Sequence, residues 1–132
     1  MPSQAAAVAR VLIVDDDVSV TGAVSRKLRL DGHEVWSAHS AEEGLTLARM
    51  HRPHAVILGL RRPLASGLRF LRAMRAIPGL ENTPVAIVTG DYHVEPLQDQ
   101  EIQALGAYVY YKPLWLHELV TLARDLLVPA RE

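Results

Sequence analysis

The 132-residue chain has no cysteine, one phenylalanine and only 5% aromatic side chains. Without thiols there is neither a disulfide framework nor a thiolate metal site. No apolar run approaches the roughly 20 residues needed to cross a bilayer. The opening stretch MPSQAAAVAR lacks the apolar core of a signal peptide. Charge of one sign is not in excess either: 14 Lys+Arg against 15 Asp+Glu leave −1, so bulk electrostatics give no footprint for nucleic acid. Glycine-rich phosphate cradles are missing, since no G-x-G-x-x-G follows the first strand-like run and no G-x-x-x-x-G-K occurs. Secreted disulfide scaffolds, membrane-spanning segments, and dinucleotide or P-loop enzymes are thereby set aside. What remains is a chain that is 49% hydrophobic with 8 Gly and 8 Pro. That composition suits one globular domain with a real core, and a cytoplasmic location is the default expectation.

Strand-like and helix-like patterns alternate five times. Arg10–Val14, RVLIV, is a short run rich in β-branched residues, as in a strand buried on both faces. Val20, Ala23, Val24 and Leu28 then recur at helical spacing, with Asp31-Gly32 as the stop. HEVWSA reads as a second strand. Ser40 with Glu43 forms a capping-box pattern for a helix that ends before Pro53. AVIL, residues 55–58, is the third strand, and Leu68, Leu71, Met74 and Ile77 mark the third helix, closed by Pro78-Gly79. PVAIVT is the fourth strand. Residues 91–105 make a weak helical segment carrying Pro96, AYVYY is the fifth strand, and residues 114–127 form the last helix. This alternation predicts an α/β fold with right-handed crossovers and a parallel sheet covered on both sides. Ligands of such sheets bind beyond the carboxyl ends of the strands.

Those ends carry Asp15, Asp16 and Asp17 after strand one, Gly59 after strand three, Thr89 after strand four, and Lys112-Pro113 after strand five. Gly59 follows Asp16 by 43 residues, Thr89 follows Gly59 by 30, and Lys112 follows Thr89 by 23. With the motifs VLIVDDD, P-x3-G (Pro63 and Gly67), VAIVTG and YYKP, the pattern resembles the receiver domain of two-component response regulators, from about Val11 to Leu127. The resemblance implies a flavodoxin-like sandwich with sheet order 2-1-3-4-5, a receiver-like domain over 10–128, and short tails at 1–9 and 129–132.

In receivers, an acidic pair after strand one holds Mg²⁺, and an aspartate after strand three accepts a phosphoryl group from a histidine kinase. A hydroxyl after strand four and a lysine after strand five contact that group. By resemblance, Asp15 and Asp16 are the acidic pair, Thr89 the hydroxyl, Lys112 the lysine, and the backbone carbonyl of Arg61 the further metal ligand. The phosphoacceptor position is Gly59, which has no nucleophile. Two carboxylates without a third make a poor, weak or vacant Mg²⁺ site. Thr89 and Ser66 are rejected as substitute acceptors, because neither has a neighbouring base in the sequence pattern. A carboxylate pair about 4 Å apart repels by roughly 4 kcal/mol at an effective dielectric near 20. Arg61, Lys112 or both are therefore expected beside Asp15 or Asp16, against the alternative that Arg61 points into solvent.

Smaller signals complete the reading. Asp17 is expected to cap the first helix. The aromatic that receivers place three residues before the lysine is Val109 here, between Tyr108 and Tyr110. Arg61, Arg62, Arg69, Arg72 and Arg75 lie in a stretch without acid, either a solvated face or a docking patch for an acidic partner. His51 and His54 are separated by Pro53 and are not expected to bind metal; His33 and His39 read as surface residues. In the last helix Leu116, Leu119, Val120, Ala123 and Leu127 form the core stripe, leaving Trp115, Leu122 and Leu126 for a partner surface.

The leading expectation is a non-enzymatic, receiver-like signalling domain of a phosphorelay that cannot accept phosphate at Gly59 and acts through protein–protein interaction. Its partners would be a histidine kinase, a phosphotransfer or other signalling protein, or a second copy through helix 4, strand 5 and helix 5, with no nucleic acid and no membrane. One alternative is an ordinary phosphorylatable receiver whose aspartate at position 59 was replaced by glycine. A lower-ranked one is a small-molecule-binding flavodoxin-like module. Starting at Met1 and ending in VPARE, the chain reads as a complete stand-alone protein.

Overall fold

The computed structural model describes residues 8–60, 64–90, 94–112 and 114–127. Five strands alternate with five helices: β1 (Arg10–Val14), α1 (Val18–Leu30), β2 (Glu34–Ala38), α2 (Ala41–His51), β3 (Ala55–Leu60), α3 (Leu64–Arg75), β4 (Val85–Thr89), α4 (Pro96–Ala104), β5 (Ala107–Tyr111) and α5 (Leu116–Leu127). The sheet is parallel throughout in the order β2-β1-β3-β4-β5. Fold class and strand order agree with expectation.

Period-two alternation divides the core. Leu12, Val14, Val56, Leu58, Val85 and Ile87 face α2, α3 and α4, and the only phenylalanine, Phe70, is buried on that side. Val11, Ile13, Ala55, Ile57, Ala86 and Val88 face α1 and α5. Each two-residue step of strand therefore contributes to both cores, which explains why strands β1, β3 and β4 read as unbroken apolar runs.

Caps set the helix starts. Asp17 Oδ1 accepts the Ser19 and Val20 amides and opens α1. Ser40 Oγ accepts the Glu43 amide at 3.1 Å, but the Glu43 carboxylate returns to His39 N, one residue before the cap itself. Arg52 ends α2 in the left-handed region at φ 52°.

Several element boundaries differ from the sequence reading. β3 continues two residues beyond AVIL to Leu60, pairing Gly59 with Val88 and Leu60 with Thr89. α4 begins at Pro96 itself: a proline at the first helical position loses no intrahelical bond, so it starts the helix instead of interrupting it. Along α5, Leu122 and Leu126 are buried, whereas Leu116 is 45% exposed. The buried face is rotated from the expected stripe, because α5 lies against both α1 and the strands β3 and β4.

Candidate functional site at the carboxyl edge of the sheet

The carboxyl ends of β1, β3, β4 and β5 bring together Asp15, Asp16, Gly59, Thr89 and Lys112. Asp15 follows β1 directly and is anchored by its own amide, which donates to Ala38 O at 2.9 Å. Its side chain is 7% exposed, and Oδ1 accepts the Asp17 amide at 2.9 Å. Thr89 is fully buried at the end of β4. The Lys112 amide donates to Thr89 O at 2.8 Å, so the hydroxyl and the lysine sit on neighbouring strand ends. Asp16 is exposed at the rim.

Gly59 sits in the same cross-strand row as Val88. A Cβ built there would fall on Asp15 Oδ2 and lie 2.7 Å from Asp15 Cγ. The Asp15 carboxylate thus leans into the space that any side chain at position 59 would need. Burial pushes its carboxyl above the ordinary carboxylate value. The Asp17 N–H bond and then the Lys112 ammonium pull it back, while the Asp16 and Asp17 charges add to the rise. The Lys112 ammonium therefore acts on Asp15 through its charge. Arg61, offered as a cation and as a carbonyl ligand, lies outside the described residues, as do Arg62 and Pro63.

Two recesses meet at this edge. One, of about 250 Å³, includes Asp15, Asp16, His39, Gly59, Ser66 and Phe70 among its lining residues. The other, of about 240 Å³, runs under α1 and α5 and is lined largely by apolar side chains, with Asp15, Asp17 and Lys112 at its polar end. The second was not legible in the sequence, where Val20, Val24 and Leu119 carry the ordinary signature of core positions.

Mg²⁺ requires near-octahedral oxygen coordination, and the donor set fits it poorly. One Asp15 oxygen already accepts a backbone amide, the other lies where a side chain at 59 would go, and Gly59 brings no side-chain oxygen. Among the described residues no group of three or more His, Asp or Glu side chains is placed to hold a metal ion.

Three of the described histidines take local structural parts. His33 Nδ1 accepts the Ala9 amide at 3.2 Å, and His54 Nδ1 accepts the Arg10 amide at 2.9 Å, together tying down the start of β1. The His51 ring stacks on Trp36 at 4.1 Å. The basic stretch is likewise largely structural where it is described. Arg72 pairs with Glu101 of α4, and Arg75 donates to four carbonyl oxygens, leaving exposed Arg69 as the arginine available to a partner.

Among the described residues no helix is long and apolar enough to cross a membrane. The sequence is 36% identical over 121 residues to the transcriptional regulatory protein PrrA of Mycobacterium tuberculosis, covering 89% of this chain and 49% of that protein. It is 32% identical over 121 residues to the response regulator MprA of Mycobacterium avium, covering 89% and 50%. The chain spans about half the length of these curated relatives. Among solved structures, the chemotaxis protein CheY4 of Vibrio cholerae superposes with a TM-score of 0.76 at 31% identity, over 92% of this chain and 100% of that one. The family model described as response regulator receiver domain matches residues 11–124. With the parallel 2-1-3-4-5 sheet and the cluster of Asp15, Thr89 and Lys112 at its carboxyl edge, this places the chain in the response regulator receiver domain family, a family of signalling domains.

Proposed function

We propose that this receiver domain does not take a phosphoryl group at position 59 and works through protein–protein interaction within a two-component pathway. The observation that carries the reading is the edge itself. Position 59 stands where the family resemblance expects the acceptor carboxylate, it has no side chain, and the Asp15 carboxylate occupies the space one would fill. An acyl phosphate needs a carboxylate oxygen facing the donor. Asp15 is a poor substitute, being buried, raised toward its neutral form and bonded to the Asp17 amide.

The partners proposed are a histidine kinase, a phosphotransfer protein or another signalling protein. A second copy is a further candidate, through the face formed by α4, β5 and α5. Leu97 is 78% exposed, Tyr108 53% and Trp115 71%, one on each part of that face or at its edge. Large apolar side chains in one exposed region favour a partner surface over bare solvent.

Intact-mass measurement after treatment with acetyl phosphate and Mg²⁺ tests the site. The unaltered chain should gain no phosphoryl mass, and Gly59→Asp should gain one. Labelling of the unaltered chain would overturn the proposal. A second reading, an ordinary receiver whose aspartate was replaced by glycine, is favoured by the joint presence of Asp15, Asp16, Thr89 and Lys112 at the edge. A genomic codon for aspartate at position 59 would establish it.

A further inference from the structure

The recess under α1 and α5 opens on the sheet face beside Gly59. Val14 pairs with Leu58 and Gly59 with Val88, so Asp15, Gly59 and Val88 lie side by side one row before the final Leu60–Thr89 pair. The rows before it are filled by Ile13, Ile57 and Ala86. In this row Gly59 has no side chain of its own, the Asp15 carboxylate leans across it, and the hollow beside them is about 240 Å³. Its floor is Ile13, Ile57 and Val88, and its roof is Val20 and Val24 of α1 with Leu119 of α5. A dry apolar cavity near 150 Å³ is enough to hold a benzene ring, so this one has room for a ring and a short tail.

The open end is different in kind. Among the described residues, Asp15 and Asp17 line it with Lys112, two carboxylates against one ammonium, and Asp16 stands next to them in the chain. An apolar chamber ending in a few converging polar groups has the make-up of a small-molecule site. The local excess of carboxylate over ammonium selects a positively charged head over a negatively charged one. We propose that the recess binds a small apolar amine, with its ring or chain between α1, α5 and the sheet and its ammonium against Asp15. The site does not depend on the phosphorylation reading. It uses the chamber beside Gly59, whichever origin that glycine has.

The test is a titration of the whole chain, followed by amide ¹H–¹⁵N NMR, with phenethylamine, phenethyl alcohol and hydrocinnamate as probes. Phenethylamine should give saturable shifts centred on Ile13, Val24, Ile57, Val88 and Leu119, and should bind about tenfold more tightly than hydrocinnamate. Asp15→Asn should reduce amine affinity to that of the alcohol. Val24→Phe should fill the chamber and abolish the shifts; Leu119→Phe, at the less buried rim, serves the same purpose should the first variant fail to fold. The proposal is overturned by an absence of saturable shifts, by shifts centred elsewhere, by hydrocinnamate binding as tightly as the amine, or by undiminished binding in a folded filled variant.

Discussion

Asp15 carries more than one burden at the carboxyl edge. It is the buried member of the acidic cluster, it supports the turn to α1 through the Asp17 amide, and it leans across Gly59. Because burial raises its carboxyl above the ordinary 3.8, the folded chain binds more protons than the unfolded one just above that pH. Stability then falls as pH rises from the unfolded value through the folded one, and stays reduced at neutral pH. Asp15→Asn, which keeps the acceptor for the Asp17 amide, should match the original chain in strong acid and exceed it in Tm at neutral pH. Urea denaturation at both pH values would check this, and a less stable Asn variant at neutral pH would contradict it. His54 behaves in the opposite sense. Burial and then the Arg10 charge lower its pKa below 6.5, so its contribution is complete above that pH and fades as pH drops through the folded value. His54→Leu should flatten the pH dependence in that window. At pH 8 it should cost less than about 1 kcal/mol, since water can replace the lost acceptor of the exposed Arg10 amide. Neither role could be read from the sequence, in which Asp15 looked like a metal ligand and His54 was read only as an unfit metal ligand.

At the scale of elements, Arg75 does the most to hold connections together. From the last turn of α3 its guanidinium reaches Leu80 O at 3.0 Å and Thr83 O at 2.6 Å in the segment before β4. It also reaches Leu105 O at 2.7 Å and Gly106 O at 3.4 Å in the segment before β5. Arg75→Met keeps the apolar stem but orphans these carbonyls, and should destabilise by about 2–4 kcal/mol in urea melts. Arg75→Lys should recover less than half of that, since one ammonium cannot reproduce a planar fork. The exposed Arg124–Asp31 pair between α5 and the end of α1 is a useful contrast: at 2.5 Å it has good geometry, yet Arg124→Ala should cost under about 1 kcal/mol. The sequence showed a row of arginines and left open whether they formed a solvated face or a docking patch. Periodicity cannot reveal carbonyl partners that belong to loops 5 to 31 residues away.

For the whole molecule, the exposed apolar residues of α4, β5 and α5 bear on assembly. If this face joins two copies, sedimentation equilibrium will show a concentration-dependent dimer, and Trp115→Glu will weaken it by at least about tenfold. A monomer at every concentration would remove the homodimer and leave the face to a different partner. Among these residues the sequence isolated Trp115 correctly as unburied, but misassigned its neighbours in α5. A helix packed against a second helix and two strands buries a wider arc than a single stripe, so Leu122 and Leu126 go inside and Leu116 stays out.

By itself the sequence determined the order of elements, the parallel sheet and the roster of residues at the strand ends. Each of these follows from local periodicity and from where an apolar run meets its first polar residue. Only the tertiary structure decided that the Asp15 carboxylate occupies the room beside Gly59, and that an apolar hollow opens under α1 and α5. Both depend on cross-strand register and on the meeting of helices distant in the chain, and a missing side chain acquires a shape only from the neighbours that surround it.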